Sequence, residues 1–333
     1  MTSPFLSVVV PTFNRRGILE RSLPSLLDQT APLGEYEIVV VVDGSRDGTL
    51  EMLGARREGP GLKTVLQENR GLSAARNRGA EEARGEVILF LDDDMIASRD
   101  LVAIHREEHR RPGERVVFGA LGLAEGLRRS FLKEGVGIWG RELDARLSSP
   151  GHRFRFDECH FGHASISRGL LARFGGFDEG FTKFGNEDYD LGWRLIQSGA
   201  EMRYAPRAVA RQIYDKGLLR WMRDCHSVGM ADVALGRKHP SLEAELRLSR
   251  RERHPLKRFA RLSAGLAVDP LAPAWWLAAG LLAGMERAGL RGGLLAHAQS
   301  LLGERQYWLG VRDARREEID REEGREARRG RIA

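Results

Sequence analysis

The sequence predicts an α/β fold whose first part is a parallel sheet covered by helices on both faces. Three observations predict it. Four short runs rich in apolar and β-branched residues, "LSVVVPTF", "YEIVVVVDG", "LKTVLQEN" and "EVILFL", recur within the first 91 residues. Such runs read as strands buried in a sheet. Helix-periodic segments separate them. Polar and turn-forming residues then gather at the carboxyl end of every run, as "PTFN", "DGSRDG", "ENRG" and "DDD". Ligands of open α/β sheets bind beyond those ends. One shared site explains the clustering better than four separate solvated turns.

The elements follow in order. After the first strand, Gly17 to Gln29 has helical spacing. "DGTLEMLGARR" opens the next helix after the second strand. "SAARNRGAEEARG" is a helix with Ser73 as its cap and Gly85 as its stop. Arg115 to Leu123 is a further strand, residues 124–158 are irregular, and "CHFGHASIS" is a strand. "RGLLARFGGFDEGF" is a helix closed by a glycine turn. "NEDYDLGWRLIQSG" is a helix with Leu191, Leu195 and Ile196 on one face and Gly199 as its stop. "MRYAP" returns as a strand, and from Lys216 onward the pattern is helical. The last stretch, "DARREEIDREEGREARRGRIA", is a solvated helix or disordered.

Composition limits the function. The chain has 333 residues and is 42% hydrophobic, enough for one large domain or two ordinary ones. Its net charge of +6 suits an anionic partner. Much of that excess is arginine in the last third. A nucleic-acid partner would explain the charge but not the acidic sheet edge, so none is expected. Cys159 and Cys225 make neither a metal pattern nor a disulfide framework, which points to a reducing, cytoplasmic setting. The beginning, "MTSPFLSVVVPTF", enters a strand at once and does not read as a signal peptide. The longest apolar run, Leu271 to Met285, falls short of the roughly 20 residues that span a bilayer. Lying among arginines, it suits peripheral contact with a membrane, or packing on the rest of the protein.

The chemistry centres on "EVILFLDDDM". A buried strand drives into Asp92, Asp93 and Asp94, and adjacent carboxylates resist desolvation. The plain reading is a solvated acidic turn. The sharper reading is a divalent cation that lets hard oxygen ligands converge. In extended geometry Asp92 and Asp94 point one way and Asp93 the other. A second acidic cluster, "NEDYDLGWRL", opens a helix, where the dipole alone favours carboxylates.

These pieces together resemble a family 2 glycosyltransferase of the GT-A fold. "SVVVPTFNR", "VVVDGSRDGT", "ENRGLSAARNRG", "VILFLDDDM", "GGFDEGFTKFGNEDYDLGWRL" and "RKHP" stand in the family's order across roughly residues 5–240. The resemblance implies a catalytic region over 1–240, with a nucleotide half over 1–123 and an acceptor half over 124–240. A helical extension over 241–333 matches nothing in the family pattern. It further implies a nucleotide-sugar donor, most simply a UDP-sugar, and a saccharide or lipid-linked acceptor. The setting it implies is polysaccharide, glycolipid or cell-envelope glycan synthesis. The family pattern makes Asp94 a direct ligand of Mn²⁺ or Mg²⁺ and sets Asp92 at the ribose or the metal's water shell. Asp43 meets the base, Pro11, Thr12 and Asn14 line its pocket, and Arg76 reaches phosphate or base. Arg70 is either a donor contact or a surface arginine. Asp188 is the general base that makes transfer inverting, with Glu187 orienting the acceptor. Asp190 and Trp193 are structural or acceptor-side, and so are His160 and His163, with metal ligation the weaker reading.

One departure stands out. Relatives carry a metal-binding histidine near residues 208–214, where this chain has Arg211 and Gln212. That raises a second class of function, a nucleotide-sugar-binding protein impaired in catalysis. A third, a sugar-1-phosphate nucleotidyltransferase, has a glycine-rich basic loop where this chain has "PTFNRRG". "GLLRW" lacks the glutamine of the processive synthases' "QxxRW", which implies a non-processive enzyme.

Overall fold

The structure is a computed structural model that describes residues 3–55, 61–181, 185–266 and 269–329. The chain divides into two compact units. The first comprises residues 1–127, 136–182 and 187–214, and the second residues 128–135, 183–186 and 215–333. The second unit therefore takes in part of the segment that the sequence places before residue 241.

The first unit is built on one eight-stranded mixed sheet. Its strands are β1 (Leu6–Thr12), β2 (Tyr36–Asp43), β3 (Leu62–Gln67), β4 (Val87–Leu91), β5 (Met95–Ala97), β6 (Arg115–Leu123), β7 (His163–Ser167) and β8 (Glu201–Gln212). Their order across the sheet is β3-β2-β1-β4-β7-β6-β8-β5. The first four runs form the expected parallel part, with Val9 opposite Val39 and Phe90. β7 then runs antiparallel to β4 and β6, and β5 antiparallel to β8.

Helices cover both faces, because strand side chains alternate. Val8, Val10, Ile38, Val40 and Leu89 face α1 (Arg16–Leu27) and its Leu19 and Leu23. After α2 (Thr49–Gly54), helix α3 (Leu72–Glu82) lies on the other face, against Val9 and Val41. Its small residues permit close approach: a Cβ on Gly79 would lie 2.3 Å from Val9 Cγ1. Helix α4 (Leu101–Arg110) adds Leu101 and Val102 to the first face. Most of α5 (Phe131–Leu147), all of α6 (Arg168–Arg173) and α7 (Glu187–Gln197) complete the unit.

Four differences from the sequence reading have physical causes. The stretch over 124–158 contains the 17-residue α5, whose pattern is blurred by Gly135, Gly137 and Gly140. Helix α3 starts after Gly71, at φ 91°, and Ser73 lies buried in its first turn instead of capping it. Its C-cap is Ala83, two residues before the expected stop at Gly85. β8 runs to Gln212, well beyond "MRYAP", because its second half serves β5 and the end of β6.

That extension positions the site. Only Asp92, Asp93 and Asp94 separate β4 from β5, although β7, β6 and β8 lie between them in the sheet. Leu91 and Met95 are four Cα steps apart, at most about 14 Å, so the far end of β8 must lie near the end of β4. Ile213 N–H donates to the Asp94 carbonyl at 2.7 Å.

Histidines fill one interior position of this unit. His105 Nε2 lies 3.1 Å from His163 Nε2, and His105 Nδ1 lies 2.7 Å from Ser165 Oγ. Burial pushes His105 well below the usual imidazole range and His163 down to about 4, so both are neutral packing groups at neutral pH.

The second unit is helical: α8 (Leu218–Lys238), α9 (Pro255–Gly265), α10 (Ala272–Arg287) and α11 (Gly293–Arg329). α8 and α11 cross in near backbone contact, since a Cβ on Gly229 would lie 2.0 Å from the Tyr307 carbonyl oxygen. The charged final stretch continues α11 as far as residue 329, and residues 330–333 lie outside the described residues. So do residues 56–57 of "DGTLEMLGARR" and 182–184 of the "GFTKFGNED" motif. Among the described residues no helix is long and apolar enough to cross a membrane.

Candidate active site

The site lies where β1, β2 and β4 end. Its centre is Arg76, on α3 and 1% exposed. Arg76 Nη1 donates to Asp188 Oδ1 at 2.6 Å and Glu187 Oε1 at 3.3 Å, and Nη2 donates to Asp92 Oδ1 at 3.0 Å. The sequence reading sets Arg76 against phosphate or base. In the folded chain it faces three carboxylates, and joins the acid after β4 to the pair that opens α7. A buried guanidinium needs such partners, and they hold its pKa above the usual arginine value despite burial.

Asp188 is held at both oxygens. Oδ2 accepts the Phe161 backbone N–H at 2.9 Å. Burial pushes its carboxyl up to about 7, with Arg76 pulling the other way and Glu187 and Asp92 adding to the rise. The sequence reading emphasised the helix dipole, which favours the ionised form; desolvation outweighs it. A carboxylate tuned near neutrality suits a general base.

The other two aspartates take a different cation. Arg15 Nη1 donates to Asp93 Oδ1 at 3.0 Å, and Nη2 to Asp94 Oδ2 at 3.1 Å. Thr12 Oγ1 donates to Asp93 Oδ2 at 2.7 Å, and Ser22 Oγ to the Asp93 carbonyl at 2.5 Å. Residues 92–94 form a turn, so strand alternation does not persist: Asp92 faces Arg76, while Asp93 and Asp94 share Arg15. Burial raises the pKa of Asp93 to about 7 and also raises that of Asp94.

Asp94 also bears on the cation. Its Oδ1 is buried with no hydrogen-bond partner, while Oδ2 accepts from Gln212 Nε2 at 3.2 Å. Of Arg211 and Gln212, the two residues in the stretch where the resemblance implies a histidine, Gln212 thus meets Asp94 and Arg211 is exposed. A hard carboxylate oxygen with unused lone pairs fits Mg²⁺ or Mn²⁺, which needs only one or two protein carboxylates beside phosphate and water. Among the described residues no group of three or more His, Cys, Asp or Glu is arranged to hold a metal by itself.

The nucleotide-side residues are joined by hydrogen bonds. Asp43 is buried; Oδ1 accepts from Gln67 Nε2 at 2.7 Å and Arg70 N–H at 2.9 Å, and Oδ2 accepts from Gly71 N–H at 3.0 Å. Asp43 therefore ties β2 to the loop that starts α3. Asn14, at φ 51°, accepts Arg46 N–H on Oδ1 at 2.8 Å and ties the loops after β1 and β2. Pro11 stays within β1, in register with Val41. Arg70 lies at the surface and pairs with Glu179 at 2.7 Å, an exposed pair of little energetic weight.

Beside Asp188 stands an aromatic row. Trp139 of α5 is 41% exposed and packs edge-on to His160 at 5.0 Å, and His160 lies 5.8 Å from Tyr189. His160 Nε2 is buried without a partner. Trp193 packs on Phe156, and Asp190 accepts from Arg194 at 2.7 Å, as structural roles require. Sequence reasoning missed Arg15, Trp139 and the Phe161 amide. Arg15 carried a faint signal as the base in "PTFNRRG", Trp139 lay in the stretch read as irregular, and a backbone amide leaves no signal.

The chain is similar to known glycosyltransferases. Residues 7–168 match the family described as glycosyl transferase family 2, and residues 141–215 match one described as the N-terminal domain of galactosyltransferase. The chain is 31% identical over 272 residues to validoxylamine A glucosyltransferase of Streptomyces hygroscopicus subsp. jinggangensis, covering 73% of this chain and 63% of that protein. It is 30% identical over 242 residues to the uncharacterized glycosyltransferase YfnE of Bacillus subtilis, covering 59% and 62%. The matches thus span just under two thirds of those relatives' length. Among solved structures, it is similar to the mannosyltransferase PcManGT of Pyrobaculum calidifontis in complex with GDP-Man and Mn²⁺. The TM-score is 0.58 at 21% identity, over 93% of this chain and 88% of that one. Residues 1–349 of S. aureus TarS in complex with UDP give 0.53 at 18% identity, over 94% and 91%. At these identities the likeness is one of fold.

Asp43 yields a test. Asp43→Ala removes the acceptor of two backbone amides, and should cost about 2–3 kcal/mol of unfolding free energy. Urea denaturation measures it; unchanged stability would show that the loop does not depend on this carboxylate.

Proposed function

The chain belongs to glycosyltransferase family 2 and has its GT-A fold, and on that premise we propose that it is an inverting glycosyltransferase. It moves a sugar from a nucleotide-diphosphate sugar to an acceptor hydroxyl. One observation carries the proposal: Asp92, Glu187 and Asp188 converge on the buried Arg76 at the carboxyl edge of the sheet. This convergence supports reading Asp188 as a general base beside the acids expected at the donor.

Pro11, Thr12, Asn14 and Asp43 form the base and ribose wall, with Arg70 at its rim. Asp92 serves the ribose side. Arg76 acts as a positioning residue, keeping Asp92 and Asp188 in place. UDP is the first choice of nucleotide, the one carried by the TarS structure; GDP, carried by the mannosyltransferase structure as GDP-Man, is the competitor. Asp94, with Asp92 near it, would hold Mn²⁺ or Mg²⁺. When bound, the ion offsets diphosphate charge and eases departure of the nucleotide.

The acceptor lies toward Trp139, His160 and Tyr189, an aromatic wall that suits a saccharide ring. Asp188 keeps unused lone pairs on both oxygens. It takes the acceptor proton as the acceptor oxygen bonds to the anomeric carbon. The bond from that carbon to the donor phosphate breaks on the opposite face, which inverts the configuration. Glu187 helps orient the acceptor. The product belongs to polysaccharide, glycolipid or other cell-envelope glycan synthesis.

Gln212 in place of a histidine favours a second reading, a nucleotide-sugar-binding protein impaired in catalysis. Donor hydrolysis, with water standing in for the acceptor, separates the two. UDP with Mn²⁺ should raise the melting temperature of the wild type but not of Asp94→Asn. Equal shifts in both would overturn the metal assignment.

The base is tested through pH. The carboxyl of Asp188 titrates near 7, and only its ionised form accepts a proton. Hydrolysis should therefore fall as pH drops below that point. Asp188→Asn should lower the rate by a factor on the order of 10² to 10⁴ and abolish that limb. Nucleotide affinity by calorimetry should be unchanged. A wild-type rate in Asp188→Asn would place the base elsewhere.

A further inference from the structure

The second unit exposes two adjoining apolar helix faces. On α9, Leu256, Phe259 and Leu262 recur at helical spacing and are 50%, 49% and 68% exposed. On α10, Trp276, Leu277 and Leu281 are 61%, 67% and 59% exposed. The Phe259 and Trp275 rings stack at 6.4 Å, so the two helices touch at this point. Both have a separate buried side, through Ala260 and Ala264 on α9 and Ala279 and Leu282 on α10. The exposed side chains are thus not the ones that hold the unit together. Large apolar side chains exposed together on two touching helices mark an interaction surface.

Charge says what covers it. Residues 250–291 contain eight Arg or Lys against three Asp or Glu. Of those acids, Asp269 pairs with Arg305, and Glu286 is buried against Ser130. Arg251, Arg253, Arg258 and Arg287 are exposed. Two copies meeting through this face would bring their arginines together. A surface of anionic headgroups over acyl chains meets both features: tryptophan, phenylalanine and leucine enter the interface and the arginines meet phosphate.

We propose that the α9–α10 face docks peripherally on an anionic lipid bilayer. The proposal does not depend on the glycosyl-transfer reading. The full chain should co-sediment with phosphatidylcholine vesicles that contain phosphatidylglycerol, weakly with phosphatidylcholine alone, and less as salt rises. Trp276→Glu combined with Leu281→Glu should lower the bound fraction by at least about tenfold. Both positions are exposed, so thermal melting should be unchanged. Failure of the wild type to bind phosphatidylglycerol vesicles would overturn the proposal, as would undiminished binding of the double variant. So would light scattering that shows a wild-type dimer split by the variant, with neither on vesicles; a second copy would then be the occupant. Donor hydrolysis read on the same samples separates failure here from failure of the enzymatic reading.

Discussion

A guanidinium cannot be buried alone, and most of the site follows from how Arg76 is satisfied. Removing an ion from water costs several kcal/mol even after relaxation, and only close, hydrogen-bonded counter-charges offset it. Arg76 has three, from the turn after β4 and the first turn of α7, and the Phe177 ring lies 5.2 Å from its guanidinium carbon. The small residues of α3 bring its backbone close enough to the sheet for the side chain to reach them. The same burial that makes Arg76 dependent on the acids raises the carboxyl of Asp188 toward neutrality. The structural demand of Arg76 and the raised carboxyl pKa of Asp188 arise from one desolvated cluster.

Three adjacent aspartates are tolerated because the chain sends them to different cations. Asp92 turns to Arg76, while Asp93 and Asp94 share Arg15. Asp93 is further held by Thr12 and, through its carbonyl, by Ser22, so it stabilises the turn rather than binding a ligand. What remains is the unpartnered Oδ1 of Asp94. The acidic run is therefore a structural turn and a candidate cation site together, with the two roles on neighbouring residues.

The sheet was legible because its central strands are apolar on both faces, and the acid clusters because carboxylates at strand and helix ends stand out against those runs. β8 was half legible: "RAVARQ" alternates exposed and buried positions and reads as polar surface. Helix α5 was hidden by three glycines, and Trp139 with it. The register that sets Gln212 beside Asp94 comes from a three-residue link between distant strands, which no local pattern encodes. The partners of Arg76 were illegible for a related reason. Its position after the third strand suggested an anion, and the sequence offered no sign that three carboxylates of the chain itself would supply one.

The coupling between Arg76 and Asp188 measures the central claim. A double-mutant cycle of Arg76→Met and Asp188→Asn, read as unfolding free energy at pH 8 where the carboxylate is ionised, isolates the pair. The coupling should be favourable by about 0.5–3 kcal/mol, the range for side chains within one charged network. Additivity within about 0.5 kcal/mol would contradict it, because the two groups would then be neighbours that do not hold each other in place.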